Sequence, residues 1–240
     1  MDEISIRVAG QNVRIVSEYR ISANMYADFR TDAATDLCVQ ITNEDIDFIH
    51  LQKCNTRRLT VKTPNILIKM AEILLPYDIL LMHGAVIAFN EQAYMFSATS
   101  GTGKTTHILK WLKHCPDAIV VNGDKPFIKF PEDGSQPLAC GSPWAGKENM
   151  YTNTMVPLKS IILMERAEEN HIEQISFAEA FPSLLQQVYR PEDEDKMRKT
   201  LRLMQRLNGS VSFWRFHCNN FKPDCFDVAY NALVKGQPSA

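Results

Sequence analysis

Residues 4–16, ISIRVAGQNVRIV, alternate apolar and polar side chains around Gly10-Gln11-Asn12. A period of two about a turn-forming centre predicts a β-hairpin. Residues 37–61 carry further strand-like pieces, LCVQIT and RRLTV, and residues 66–75 have the apolar spacing of a helix that stops at Pro76. These elements predict a β-rich N-terminal subdomain, residues 1–75, with no low-complexity linker after it. From residue 79 the pattern changes. ILLMHGAVIAF predicts a buried strand interrupted at His83-Gly84, Asn90-Glu91 a turn, and AYMFSA a second strand. A Gly-rich loop follows, then an amphipathic helix over 105–114. AIVVNGD predicts a third strand ending at Asp124, with PFIKF paired to it, and LKSIILME is another strong strand. Helices are predicted over 177–188 and 193–207, separated by Arg190-Pro191. VSFWRFHC predicts a late strand and DCFDVAYNALV a closing helix with Asp224 as its N-cap. The alternation predicts an α/β core over residues 76–240.

Composition narrows the partners. The chain has 240 residues, 45% hydrophobic and 22% charged, enough for a sizeable core. A net charge of −2 lacks the basic excess of a general nucleic-acid binder, so no nucleic acid is expected. The longest apolar runs, such as 79–82 and 161–164, are too short to cross a bilayer. MDEISIRVAG has acidic residues at positions 2 and 3 and no apolar stretch of a secretory leader. The expectation is a cytoplasmic protein with no membrane partner. The six cysteines, Cys38, Cys54, Cys115, Cys140, Cys218 and Cys225, include no C-x-x-C pair, which predicts reduced, partly buried thiols. His217-Cys218 with Cys225 is half of a zinc pattern, but no second ligand pair is suitably spaced.

The candidate chemistry lies in SATSGTGKTTH, residues 97–107. Gly103-Lys104-Thr105 ends the pattern G-x-x-x-x-G-K-[ST], with Ala98 in place of the leading glycine. A strand precedes the loop and a helix follows it. Backbone amides of Ser100, Gly101, Thr102, Gly103 and Thr106 can therefore converge on phosphate oxygens at a helix N-terminus. Lys104 would bridge the β- and γ-phosphates and the Thr105 hydroxyl would ligate Mg²⁺, making ATP and Mg²⁺ the expected ligands. Phosphoryl transfer also needs a carboxylate. Asp124, 20 residues after Lys104, is placed at the carboxyl end of a strand expected beside the loop strand. Its role is open between Mg²⁺ ligand, proton acceptor and plain turn residue. His83 is open between a satisfied core histidine and a catalytic group, and Gly84 permits close backbone approach there. GSPWAGKEN, residues 141–149, presents Lys147 to neutralise phosphate and Trp144 to pack on a ring, or is a surface loop anchored by that Trp. Arg190 is open between transition-state charge and pairing with the acidic run 192–195, with pairing preferred.

In order, HGAVIAF, FSATSGTGKTTH, VVNGDKP and GSPWAGKE resemble the HPr kinase/phosphorylase and ATP-dependent phosphoenolpyruvate carboxykinase superfamily. The closer likeness is to its small HPr-kinase-like proteins. The resemblance covers residues 79 to about 235 and leaves 1–75 unassigned. It implies a carboxykinase-like P-loop core rather than a Rossmann or Ras-like sheet. It implies that Lys104 and Thr105 occupy the loop lysine and metal-binding hydroxyl positions. His83 would match the family's upstream histidine, and Asp124 the second of two adjacent aspartates that hold metal and base roles. Gly123 stands at the first of those positions, so one carboxylate must serve metal and base, or His83 must share the proton work. The kinase's later signature stretch and the carboxykinase's manganese ligands and substrate arginines are not seen. The activity implied is an ATP-dependent kinase that moves the γ-phosphoryl group to a hydroxyl, on a serine of a protein or peptide or on a small molecule. The alternatives are a non-catalytic nucleotide-binding module and, last, a carboxykinase-type enzyme. The acceptor and homo-oligomerisation are left open.

Overall fold

The computed structural model describes residues 1–18, 20–42, 45 and 62–236, with 62–64 described by backbone alone. Cys54 and the strand expected at RRLTV lie outside these residues. The N-terminal part is a three-stranded sheet of β1 (Asp2–Val8), β2 (Gln11–Ser17) and β3 (Leu37–Ile41). β1 and β2 are antiparallel with Val8 opposite Gln11, so the turn is Ala9-Gly10, earlier than the Gly10-Gln11-Asn12 expected. β3 adds parallel to β2. Alternation aims Ile4, Ile6, Val13, Ile15, Val39 and Ile41 at one face. Helix α1 (Lys62–Leu74) presents Ile66, Met70 and Leu74, four residues apart, to that face. The same core takes in Ile79, Phe127, Cys140 and Trp144.

The remaining strands are β4 (Ile79–Leu81), β5 (Ala85–Phe89), β6 (Gln92–Ser97), β7 (Ile119–Asn122), β8 (Phe127–Lys129), β9 (Leu138–Cys140), β10 (Met155–Arg166), β11 (His171–Ile175) and β12 (Ser212–Cys218). They form one sheet through β10, whose 12 residues serve two neighbourhoods. Its start pairs antiparallel with β9, which continues to β8 and β4. Its later residues pair in parallel with β6 on one side and β12 on the other. β6 then continues to β5 and β7, and β12 to β11, all antiparallel.

Helices cover both faces, which is why β6 and the later part of β10 read as continuous apolar runs. α2 (Lys104–His114) and α5 (Cys225–Leu233) pack on Ala85, Ile87, Tyr94, Phe96, Ile162 and Phe216. α3 (Phe177–Gln187) and α4 (Glu194–Arg206) pack on Val86, Met95, Ile161, Leu163 and Phe213. Adjacent residues of one strand thus feed opposite cores, and the fold is mixed α/β. A capping box of Ser176 and Glu179 starts α3, worth about 1 kcal/mol.

Three expectations need correction. ILLMHGAVIAF is two strands in different parts of the sheet, because residues 82–84 carry the chain across from β8's neighbourhood to β6's. PFIKF pairs with β4 and β9 rather than with AIVVNGD. Asp224 stands at the N-cap of α5 as expected, but its side chain does not cap; the carboxylate accepts from Asn170 Nδ2 at 2.7 Å instead. Short β9 and β11 were not anticipated. Among the described residues no helix is long and apolar enough to cross a membrane.

Candidate functional site

β6 and β7 are both antiparallel to β5, so they point the same way one strand apart. The loop that leaves β6 and the Asp124 that follows β7 therefore emerge at the same edge of the sheet. β5 lies between them, where direct adjacency was expected.

Asp124 is held by an Asx turn. Asn122 Oδ1 accepts from Asp124 N at 2.9 Å and from Lys125 N at 2.7 Å. Asn122 is itself buried and donates to Ser142 O and Oγ at 3.0 and 2.9 Å. Ser142 Oγ closes the circuit by donating to Lys125 O at 2.8 Å. Glycine precedes Asp124 for a steric reason: a Cβ on Gly123 would sit 2.9 Å from Ala145 O. Gly146, at φ +79°, lies against the carboxylate stem, where a Cβ would meet Asp124 Cβ at 3.0 Å.

His83 occupies the crossing between β4 and β5. Its amide donates to Gln187 O at 2.7 Å, its carbonyl accepts from Ser97 Oγ at 3.1 Å, and Gly84 N donates to Asp124 O at 3.0 Å. The ring is one-quarter exposed and is not a core histidine. Nε2 lies 3.2 Å from Asp124 Oδ1, and Nδ1 lies 2.8 Å from Gln187 Oε1. An ionised carboxylate only accepts, so Nε2 carries a proton toward it. Lys125 Nζ lies 3.0 Å from the other oxygen, Oδ2. Burial pushes the Asp124 carboxyl up, but the His83 hydrogen bond and the Lys125 charge outweigh it and hold the group at about 2.

The loop helix α2 starts at Gly103 with no side-chain cap, which leaves its first amides for another acceptor. Lys104 is buried, and its ammonium donates to Ala98 O at 2.9 Å and Thr99 O at 3.5 Å. An anion on Lys104 would have to displace these two carbonyls. Burial lowers its pKa, and nearby Asp124 opposes that shift.

A cleft of about 600 Å³ brings together His83, Ser100, Gly101, Gly103, Lys104, Thr105, Thr106, Asp124 and Lys147. Thr102 turns instead to a second cleft of about 510 Å³ on the other side of the loop, with Arg166, Ser183 and Gln186. There the Arg166 guanidinium donates to Gly101 O. Gln187 lines this second cleft and His83 the first, so their hydrogen bond joins the two. Trp144 does not face the site. It is buried against Tyr26 and Phe127, ring centroids 6.0 and 6.3 Å away, and anchors its loop to the N-terminal core. Arg190 is exposed, lines neither cleft, and makes no ion pair with 192–195 among the described contacts.

Sequence reading missed Lys125, Gln187, Asn122 and Arg166. Lys125 was legible as a cation beside a carboxylate in GDKP. Gln187 stands 104 residues from His83 with no local signal.

No protein-family model and no curated protein sequence matches the chain. Among solved structures, it is similar to the Hpr(Ser) kinase/phosphatase from Coxiella burnetii, with a TM-score of 0.31 and 11% identity over 53% of this chain and 90% of that one.

Proposed function

We propose that the chain is an ATP-dependent kinase built on a P-loop core, transferring the γ-phosphoryl group to a hydroxyl, on a serine of a protein or peptide. One observation carries this reading: the His83–Asp124 pair shares a single cleft with Lys104, Thr105, Lys125 and Lys147. Three lysines and an uncapped helix start supply positive potential for phosphate oxygens. The cleft volume suits one nucleotide-sized ligand.

The Thr105 hydroxyl and the Asp124 carboxylate are the hard oxygen donors that would hold Mg²⁺. Mg²⁺ would neutralise charge on the transferring phosphoryl group. Lys104 would give up its loop carbonyls for phosphate oxygens. Lys125 and Lys147 would take charge at the cleft mouth. Asp124, held near 2, is a weak base but an ionised acceptor at neutral pH. It would orient the hydroxyl and receive its proton late, as a loose phosphoryl transition state allows. His83, fixed at both ring nitrogens, would hold the carboxylate in place.

The test is incubation with γ-labelled ATP and Mg²⁺, comparing wild type, Lys104→Ala and Asp124→Asn against serine peptides, an HPr-like protein and hydroxyl metabolites. Label transfer by wild type alone supports a kinase and names its acceptor class. Transfer that survives Lys104→Ala would sink the mechanism. Tight ATP binding with no transfer favours a non-catalytic nucleotide-binding module.

A further inference from the structure

Behind the loop helix lies a buried cluster that the proposed reaction does not use. Cys218 ends β12, Cys225 opens α5, and residues 219–224 join them. Their sulfurs are 3.5 Å apart, and Cys225 Sγ lies 3.6 Å from His107 Nδ1. Cys225 and His107 are fully buried and Cys218 is 4% exposed. The zinc half-pattern in the sequence pointed to His217, but the histidine that joins these cysteines is His107, from the first turn of α2.

Three such ligand atoms within 4.8 Å of one another suggest a metal. The neighbouring indole argues against it. Trp111 Nε1–H, which can only donate, bonds to His107 Nε2 at 3.1 Å. Nε2 is therefore the acceptor, and the neutral ring carries its proton on Nδ1, facing Cys225. A metal on Nδ1 would demand an imidazolate or break the bond of a buried indole. The arrangement suits a thiolate instead. The hydrogen bond from Cys218 and the His107 ring hold Cys225 below the usual thiol range against its burial, and the same bond pushes Cys218 up.

This pair touches the loop helix directly at His107, and Asn220 carries the contact on to the Gly103 carbonyl ahead of it. Asn220 Oδ1 accepts from the Cys225 thiol at 3.5 Å, a bond the thiolate gives up when it forms, and Asn220 Nδ2 donates to Gly103 O at 3.2 Å. The Gly103 carbonyl also accepts from His107 N at 3.0 Å, at the start of the helix that carries Lys104 and Thr105. Residues 219–224, which join the two cysteines, are half-buried or exposed, and Phe221 is fully exposed.

We propose that Cys218 and Cys225 are a redox pair that a peroxide joins into a reversible disulfide, and that Asn220 passes their state to the loop at 99–107. The Cys225 thiolate attacks one peroxide oxygen, the O–O bond breaks, and the hydroxide released becomes water with the proton Cys225 had lost. The Cys218 thiol then attacks the sulfenic sulfur. The S–O bond breaks, the S–S bond forms, and the hydroxide leaves as water with the Cys218 proton. Each sulfur gives up one electron and each peroxide oxygen gains one. Closing the sulfurs from 3.5 Å to about 2.05 Å draws α5 toward the end of β12 and withdraws the sulfur against which Asn220 rests. Weaker nucleotide binding in the oxidised state is the consequence, and only that consequence rests on the proposed function.

The experiment treats the reduced full chain with hydrogen peroxide and cleaves it after Phe221, which separates the two cysteines. Wild type is expected to lose two hydrogens in mass and keep the two peptides joined until a dithiol is added. Hydrogen exchange at 99–107 is expected to rise several-fold on oxidation in wild type, and to be equal in both states in Cys218→Ser and in Asn220→Ala. Peptides that stay separate, with both thiols intact or Cys225 over-oxidised, would overturn the proposal. So would linkage that leaves exchange at 99–107 unchanged, or one zinc per chain that shields both thiols from alkylation. If the serine variant does not fold, wild type and Asn220→Ala still decide. ATP binding measured in both states separates the two readings: no binding in either state refutes the kinase while linkage and exchange still decide the redox pair.

Discussion

Replacing Asp124 with Asn tests the electrostatics of the cleft without any assumption about substrate. The carboxyl falls from 3.8 to about 2 because His83 and Lys125 favour its charged form more strongly than burial opposes it. A depressed acid contributes stability that is complete above its unfolded pKa, near 3.8, and is lost as pH falls toward about 2. At about 1.36 kcal/mol per unit, that difference corresponds to roughly 2.4 kcal/mol. The side chain is 32% exposed, so solvent screening reduces the figure to about 1–1.5 kcal/mol. Asp124→Asn should therefore be less stable than wild type by about that amount at pH 7, or about 2–6 °C in Tm for a chain of this size. Urea unfolding of both proteins at pH 7, 5, 4 and 3 measures the gap. It should be constant from pH 7 to 5 and shrink to roughly half by pH 3. A gap that does not change with pH, or that widens toward pH 3, would refute the ion-pair account of Asp124.

Lys104→Ala should abolish phosphoryl transfer in the labelled-ATP assay while costing about 1–3 kcal/mol in urea unfolding, since it removes a buried charged hydrogen bond to Ala98 O. Gln187→Ala, which frees His83 Nδ1, should lower kcat by roughly tenfold to a hundredfold with little change in KM in steady-state kinetics. Gly146→Ala should destabilise by about 1–2 kcal/mol from its φ of +79° and should also lower transfer by displacing Asp124, as thermal unfolding and kinetics would show. Trp111→Ala should cost about 3–5 kcal/mol in urea unfolding, because the ring is fully buried among Phe96, Tyr94 and Phe226.

Local pattern by itself determined most elements: the hairpin at the N-terminus, the strand that runs into the Gly-rich loop, the helix after it, and the long apolar strand at 155–166. Those signals are carried by periods of two and 3.6 within a dozen residues, which is the range over which backbone geometry acts. The loop lysine, the Thr105 hydroxyl and Asp124 were legible for the same reason, since each stands at a fixed offset from a strand end. Tertiary structure alone decided which elements became neighbours. The short β9 gives no strong period of its own, yet it links β8 to β10 and so unites the sheet. From the residues alone His83 read as a core histidine sooner than a catalytic one, until the break between β4 and β5 exposed its ring and the end of α3 brought Gln187 to it. Trp144 was open between ligand and anchor until the N-terminal sheet supplied a core for it. His107 showed nothing in sequence, being an ordinary member of an amphipathic helix. It met Cys225, 118 residues away, because α2 and α5 pack on the same face of the sheet. Contacts at such separations depend on strand order, and strand order is set by which faces the whole chain can bury at once.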